Sequence, residues 1–339
     1  MRAFPQGRRG WLRAALVAGV PLAALLGSAM FTTRMPGRSH QGPLPPLDGE
    51  TIAVRDRVRA HVEALAGRIG ERNLWKPEAL AAAAAYVEDG LRSSGLAVQS
   101  QSFTVEGRTV RNLEVRLEGA ARAGEVVVVG AHYDSVLGSP GADDNATGVA
   151  ALLEIARSCA TLRLPRTVHL VAFVNEEPPF FLGGDMGSLR YARRLRDERR
   201  DVVAMLSLET IGYYSDRPGS QEYPLPFRLF YPDRGDFVGV VGNTASRALV
   251  RRVVASFRRH GTLPCEGLAA PGWITGVGWS DHWSFWQHGY PAVMVTDTAL
   301  FRYPHYHAAT DLPGEVDYDR CARAVVGLTK VVRELAGAD

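Results

Sequence analysis

The chain has 339 residues, 46% of them hydrophobic, with 35 glycines, 20 prolines and three cysteines. That is enough for one large α/β domain or two smaller ones with a substantial core. The net charge of +3 gathers at the start, since Arg2, Arg8, Arg9, Arg13, Arg34 and Arg38 all precede the first acid, Asp48. The remainder is mildly acidic, which leaves no case for nucleic-acid binding.

Arg8 and Arg9 are followed by an apolar run over residues 14–31, interrupted by Gly19, Pro21, Gly27 and Ser28. A charged start and such a run predict a signal peptide or a single membrane anchor within residues 1–31. The run sits at the short limit for crossing a bilayer, and Gly27-Ser28-Ala29 offers a small-residue cleavage site, which favours removal. Arg8-Arg9-Gly10-Trp11-Leu12 resembles a twin-arginine export signal. Either way the body is expected outside the cytoplasm: periplasmic, secreted or membrane-anchored. Residues 32–48, rich in Pro, Gly and polar groups, read as a tether, and residues 49–339 as one catalytic domain.

Helical periodicity covers residues 51–70 and 77–94, the second with an Ala-rich core. Strands are predicted at 97–105 and 112–117. From Val126 the pattern alternates: strand, helix 147–159, strand 167–174, helix 186–195, strand 202–208. Beyond lie a strand at 237–241, a helix at 245–258, a short segment at 281–287, a strand at 292–296 and a closing helix at 318–335. This pattern predicts an α/β fold with a mixed, largely parallel central sheet and helices on both faces. Cys159 and Cys321 fall in apolar helical patterns and read as buried thiols. A disulfide is open to the three cysteines, and spacing does not pair them.

Chemistry-bearing residues gather at predicted strand ends, where open α/β sheets hold their ligands. The strand at Val126 runs into His132-Tyr133-Asp134, and a Gly/Ser/Pro loop then delivers Asp143 and Asp144. The next strand ends in Asn175-Glu176-Glu177 and the following one in Glu209. The strand at 292–296 leads to Asp297 and then to His305-Tyr306-His307. Two imidazoles with three carboxylates suit divalent ions, zinc above all, whereas calcium would ask for oxygen alone. Two ions about 3.5–4 Å apart need a bridging carboxylate.

His132-x-Asp134, Gly141-Ala-Asp-Asp144, Glu176-Glu177, Glu209 and Tyr306-His307 together resemble peptidase family M28, the di-zinc aminopeptidases, from about Ala97 to the C-terminus. The resemblance implies two zinc ions per chain and peptide substrates. It implies His132 and Glu209 as ligands of one zinc, Glu177 and His307 as ligands of the other, and Asp144 as the bridge. It makes Asp134 the carboxylate that orients the His132 imidazole and Glu176 the general base. Asp143 reads as a helix N-cap outside the site, and His305 as the weaker rival of His307.

Three departures stand out. Pro178-Pro179-Phe180-Phe181 precedes Gly187-Ser188 where the family has a Gly-Leu-x-Gly-Ser stretch. Glu209 stands where many relatives have aspartate, and Ala308 where threonine is common. Gly278-Trp-Ser280-Asp-His282 approaches a serine-hydrolase elbow but ends in His rather than Gly, so Ser280, Asp281 and His282 read as residues behind the site or in its wall.

The expected function is therefore a metallo-exopeptidase, an aminopeptidase acting through a metal-activated water. The alternatives are a glutaminyl cyclase working with one zinc and a non-catalytic luminal domain. The GADDNATG loop resembles the peptidases more than the cyclases. A residue of suitable chemistry at every position speaks against the non-catalytic reading.

Overall fold

The computed structural model describes residues 27–338 and, ahead of them, positions 7, 8, 12, 17, 19 and 20. The predicted leader lies largely outside the described residues. Residues 27–33 are helical, and no helix among the described residues is long and apolar enough to cross a membrane. Residues 1–34 form one unit and residues 35–339 a second, which carries the sheet and every candidate site residue.

The centre of the second unit is an eight-stranded sheet ordered β1-β2-β4-β3-β5-β8-β6-β7. The strands are β1 (Val98–Val105), β2 (Arg108–Leu117), β3 (Arg122–His132), β4 (Arg166–Phe173), β5 (Asp201–Glu209), β6 (Val238–Gly242), β7 (Cys265–Ala269) and β8 (Ala292–Thr296). β4, β3, β5 and β8 run parallel side by side, so their C-terminal ends open onto one edge. β2 is antiparallel to β4, and β6 is antiparallel to β8. The sheet is mixed and mostly parallel, as the alternating pattern predicts.

The helices are α1 (Gly49–Val62), α2 (Pro77–Ser93), α3 (Gly148–Cys159), α4 (Gly187–Asp197), α5 (Arg247–His260), α6 (His282–Gln287) and α7 (Tyr318–Leu335). The second half of the predicted first helix, Glu63–Ile69, is wound as a π-helix. Alternation along β3 splits its side chains between two cores. Val127 and Val129 join Leu152, Ile155, Phe257 and Leu328 of α3, α5 and α7. Val126 and Val128 join Tyr191, Leu195 and Phe285 of α4 and α6. Continuous apolar runs in the central strands follow from burial on both faces.

Two features differ from the sequence reading. β7 is unannounced there: its five residues alternate between buried and half-buried positions and include Glu266 and Gly267, so no apolar run marks it. The predicted tether is bound to the body. The Ser39 hydroxyl donates to the Cys265 carbonyl at 3.1 Å and accepts the Cys265 N–H at 2.9 Å. Arg258 donates to the Pro36 carbonyl at 3.0 Å, and Arg323 to that of Pro45. Asp48 then caps α1 through the N–H of Thr51 at 2.8 Å. Along the same outer edge, the Tyr231 hydroxyl donates to the Gly267 carbonyl at 2.7 Å. All three cysteines are buried and free.

Candidate metal centre

His132 is the last residue of β3, Glu209 the last of β5, and Glu176-Glu177 follow β4 by a short turn. These strands are neighbours, which converts three distant sequence positions into one row of donors. Asp144 comes from the turn Ala142–Thr147 that opens α3, and His307 from the loop after β8. Asn175, Thr210 and His307 take positive φ of 59°, 42° and 56°, sparsely populated backbone that clusters where side chains must be aimed.

Two groups of three donors result, with ligand atoms inside each group lying within 4.8 Å of one another. His132, Asp144 and Glu209 make one, and Asp144, Glu177 and His307 the other. His132 Nε2 lies 3.4 Å from Asp144 Oδ1 and 3.2 Å from Glu209 Oε2. His307 Nε2 lies 3.2 Å from Asp144 Oδ2 and 3.2 Å from Glu177 Oε2. The two oxygens of Asp144 therefore face different groups. Glu176 Oε2 stands 3.9 Å from His132 Nε2, beside the first group.

The donor set fits divalent metal on an observation of unmet valence. His132 Nε2, Asp144 Oδ1 and Glu177 Oε1 are all buried without a hydrogen-bond partner. Buried polar atoms are normally paired, and three unpaired ones converging in two nitrogen–oxygen groups match the ligand chemistry of zinc. The electrostatics agree. Burial works against a charged His132, yet Glu209 and Glu176 outweigh it and raise the imidazole well above its ordinary value. Burial likewise opposes charge on His307, but Asp144 and Glu177 lift it to about 10. Burial raises Glu176 well above the usual carboxylate range, with Glu209 and Glu177 adding to the rise and His132 opposing it. Burial and Asp144 push Glu177 up to about 8. The same acids that raise both histidines would stabilise a cation placed between them.

All seven predicted site residues are brought together. Asp134 has more than one contact: its carboxylate accepts the backbone N–H of Glu176 at 3.3 Å and of Glu177 at 3.2 Å. Its Oδ1 is 3.6 Å from His132 Nδ1, whose nearer partner is the Asp134 carbonyl at 3.2 Å. Asp143 does not cap α3. It is buried, and its Oδ1 accepts the N–H of Gly212 at 2.8 Å, which fastens the loop beyond Glu209. His305 turns away, to Thr310 Oγ1 at 2.8 Å. Ser280 donates to Glu209 Oε2 at 2.7 Å rather than to His282, so no serine-hydrolase array exists there. His282 Nε2 instead meets the Val277 carbonyl at 2.8 Å.

Three supporting residues escape the sequence reading. Asn145 donates to the Leu208 carbonyl at 2.8 Å and accepts the Thr210 N–H at 3.1 Å, bracketing Glu209. The approach is tight enough that a Cβ on Gly148 would meet Asn145 Oδ1 at 2.3 Å and the Leu208 carbonyl at 2.5 Å. Asp311 accepts the N–H of Asp143 at 2.8 Å and of Asp144 at 3.1 Å. Arg72, fully buried, donates to the carbonyls of Tyr133 at 2.7 Å and Gly141 at 2.8 Å, tying the two halves of the His132–Asp144 loop. Burial lowers its guanidinium to about 10.

Next to Glu209 and Tyr306 opens a cavity of about 100 Å³ over the β6–β7–β8 end of the sheet. Tyr223, Phe227, Tyr231, Phe237 and Phe301 line it.

A mixed sheet carrying histidine–carboxylate donors at its strand ends is the architecture of the zinc aminopeptidase fold. Residues 112–331 match the model of peptidase family M28, and the chain belongs to that family. It is 42% identical over 255 residues to YfbL, an uncharacterized protein of Escherichia coli K12, covering 72% of this chain and 77% of that one. It is 28% identical over 195 residues to leucine aminopeptidase 1 of Aspergillus oryzae, covering 53% of this chain and 44% of the relative. The chain thus spans about half the length of the leucine aminopeptidases it matches. Among solved structures it is similar to BSAP, a zinc aminopeptidase from Bacillus subtilis, with a TM-score of 0.66 at 15% identity over 83% of this chain and 95% of that one. The glutaminyl cyclase of Porphyromonas gingivalis shares the fold, with a TM-score of 0.61 at 20% identity over 83% and 98% of the two chains.

Proposed function

We propose that this metallopeptidase is a di-zinc aminopeptidase that removes apolar N-terminal residues from peptides. The observation that carries the reading is Asp144, whose two carboxylate oxygens face two separate histidine–glutamate pairs. His132, Glu209 and Asp144 would hold one ion, and Glu177, His307 and Asp144 the other. Zinc held there would supply an acidified water and positive charge for the developing oxyanion.

The chain's own residues do the rest. Glu176, buried beside the first donor group and not needed as a ligand, takes the proton of the attacking water and returns it to the leaving amine. Asp134 fixes the backbone of both glutamates. The aromatic cavity beside Glu209 accepts the side chain of the N-terminal residue, and its walls favour an apolar one. The leader supports a catalytic body exported from the cytoplasm, which fractionation of expressing cells tests.

The deciding experiment incubates zinc-loaded protein with leucine-initiated and glutamine-initiated peptides while zinc per chain is measured. Release of free leucine at two zinc per chain is the expected result. Pyroglutamate formation with ammonia release at one zinc per chain would replace the reading with the cyclase activity that shares this fold.

A further inference from the structure

The sheet order sets an axis across the centre. The donors at the ends of β4, β3 and β5 occupy its middle, and the aromatic cavity flanks them on the β8–β6–β7 side. On the opposite side, next to β4, stands a second aromatic element. Trp75 stacks on Phe180 with ring centroids 5.6 Å apart and planes 17° from parallel. Phe180 belongs to the Pro178–Phe181 stretch that departs from the family pattern.

The backbones that carry both rings are tied to the centre by short connections. The Phe180 N–H donates to the Glu177 carbonyl at 3.0 Å, and its own carbonyl accepts the Gly183 N–H at 2.7 Å. The Trp75 N–H donates to Asn73 Oδ1 at 3.1 Å, and Asn73 donates to the Ser135 carbonyl at 3.2 Å, one residue beyond Asp134. Arg108, at the start of β2, holds the preceding Leu74 carbonyl. Phe180 is 8% exposed and Trp75 39%, so an indole backed by a buried ring is presented to water.

We propose that the Trp75–Phe180 pair is a subsite for an apolar or aromatic side chain on the residue that follows the scissile bond. The inference rests on the aminopeptidase reading. With the N-terminal side chain in the cavity beside Glu209 and the scissile carbonyl over Asp144, the departing residue leaves past Glu177, toward Phe180 and Trp75. A stacked aromatic platform gains contact area and dispersion from a planar or branched apolar partner and offers no matching gain to glycine or aspartate. Preference for the second residue is thereby set by different residues from preference for the first.

The test holds leucine at the N-terminus and compares Leu-Phe, Leu-Leu, Leu-Gly and Leu-Asp with leucinamide, whose leaving group has no side chain. In the zinc-loaded wild type, kcat/KM for Leu-Phe should exceed that for Leu-Gly by about tenfold or more. Trp75→Ala should bring that ratio toward one, acting mainly through KM, and Trp75→Phe should restore most of it. A wild-type ratio near one, or a ratio unmoved in Trp75→Ala, overturns the subsite while hydrolysis of the series upholds the aminopeptidase. No hydrolysis anywhere in the series, leucinamide included, overturns both.

Discussion

The two donor groups share Asp144 but live in different surroundings. His132 ends a central strand, is 0% exposed, and sits with Glu209, which Ser280 and Asn145 hold from both sides. His307 comes from a loop at positive φ, and its side chain is 32% exposed. One half of the centre is built into the sheet, and the other is closed over it by a loop. The inner half is therefore expected to bind its ion more tightly and exchange it more slowly, since its ligands lose less freedom on coordination.

The largest effect should come from the residue common to both halves. Asp144→Ala should bring zinc per chain toward zero and abolish turnover, a loss beyond the roughly 10⁴-fold ceiling of removing a general base. Elemental analysis of the purified variant checks it, and full zinc content would break the shared-bridge reading. Glu176→Gln should leave zinc per chain unchanged and lower kcat by about 10²–10⁴-fold; wild-type turnover would remove Glu176 from the mechanism.

Chelator titration separates the halves directly. One zinc should leave quickly and the second slowly, and a single phase for both would erase the distinction. Smallest and most local, Ser280→Ala should weaken only the slow-leaving ion, by about 10–100-fold in affinity. Competition with a metal indicator reads this, and equal weakening of both ions would show that Ser280 supports the centre as a whole.

The same contrast between strand and loop governs what is legible in the sequence. The β3, β4, β5 and β8 runs are readable because burial on both faces leaves nearly continuous apolar stretches, interrupted by His169 in β4 and Ser207 in β5. Their terminal His132, Glu177 and Glu209 are readable because they interrupt those stretches. Resemblance alone selects Asp144 over Asp143, since both are buried acids in one turn. Asn145, Asp311 and Arg72 leave no local sign. Their roles arise only when folding brings Asn145 to Leu208, Asp311 to Asp143, and Arg72 to Gly141. The periodicity finds the helix over 51–70 but carries no sign that Glu63–Ile69 is π-wound, and residues 35–48 hide a bound strap behind a composition shared with free linkers.

That strap has a consequence for the chain in company. β7 ends the sheet, and an unpaired outer strand is a template on which other chains add. Here its Cys265 N–H and carbonyl are taken by Ser39, and its Gly267 carbonyl by Tyr231. Whatever processing happens upstream of Ser39 leaves this seal in place. Trimming as far as Gly49 would strip the Ser39 part of it and leave the Cys265 N–H open to pairing by another strand.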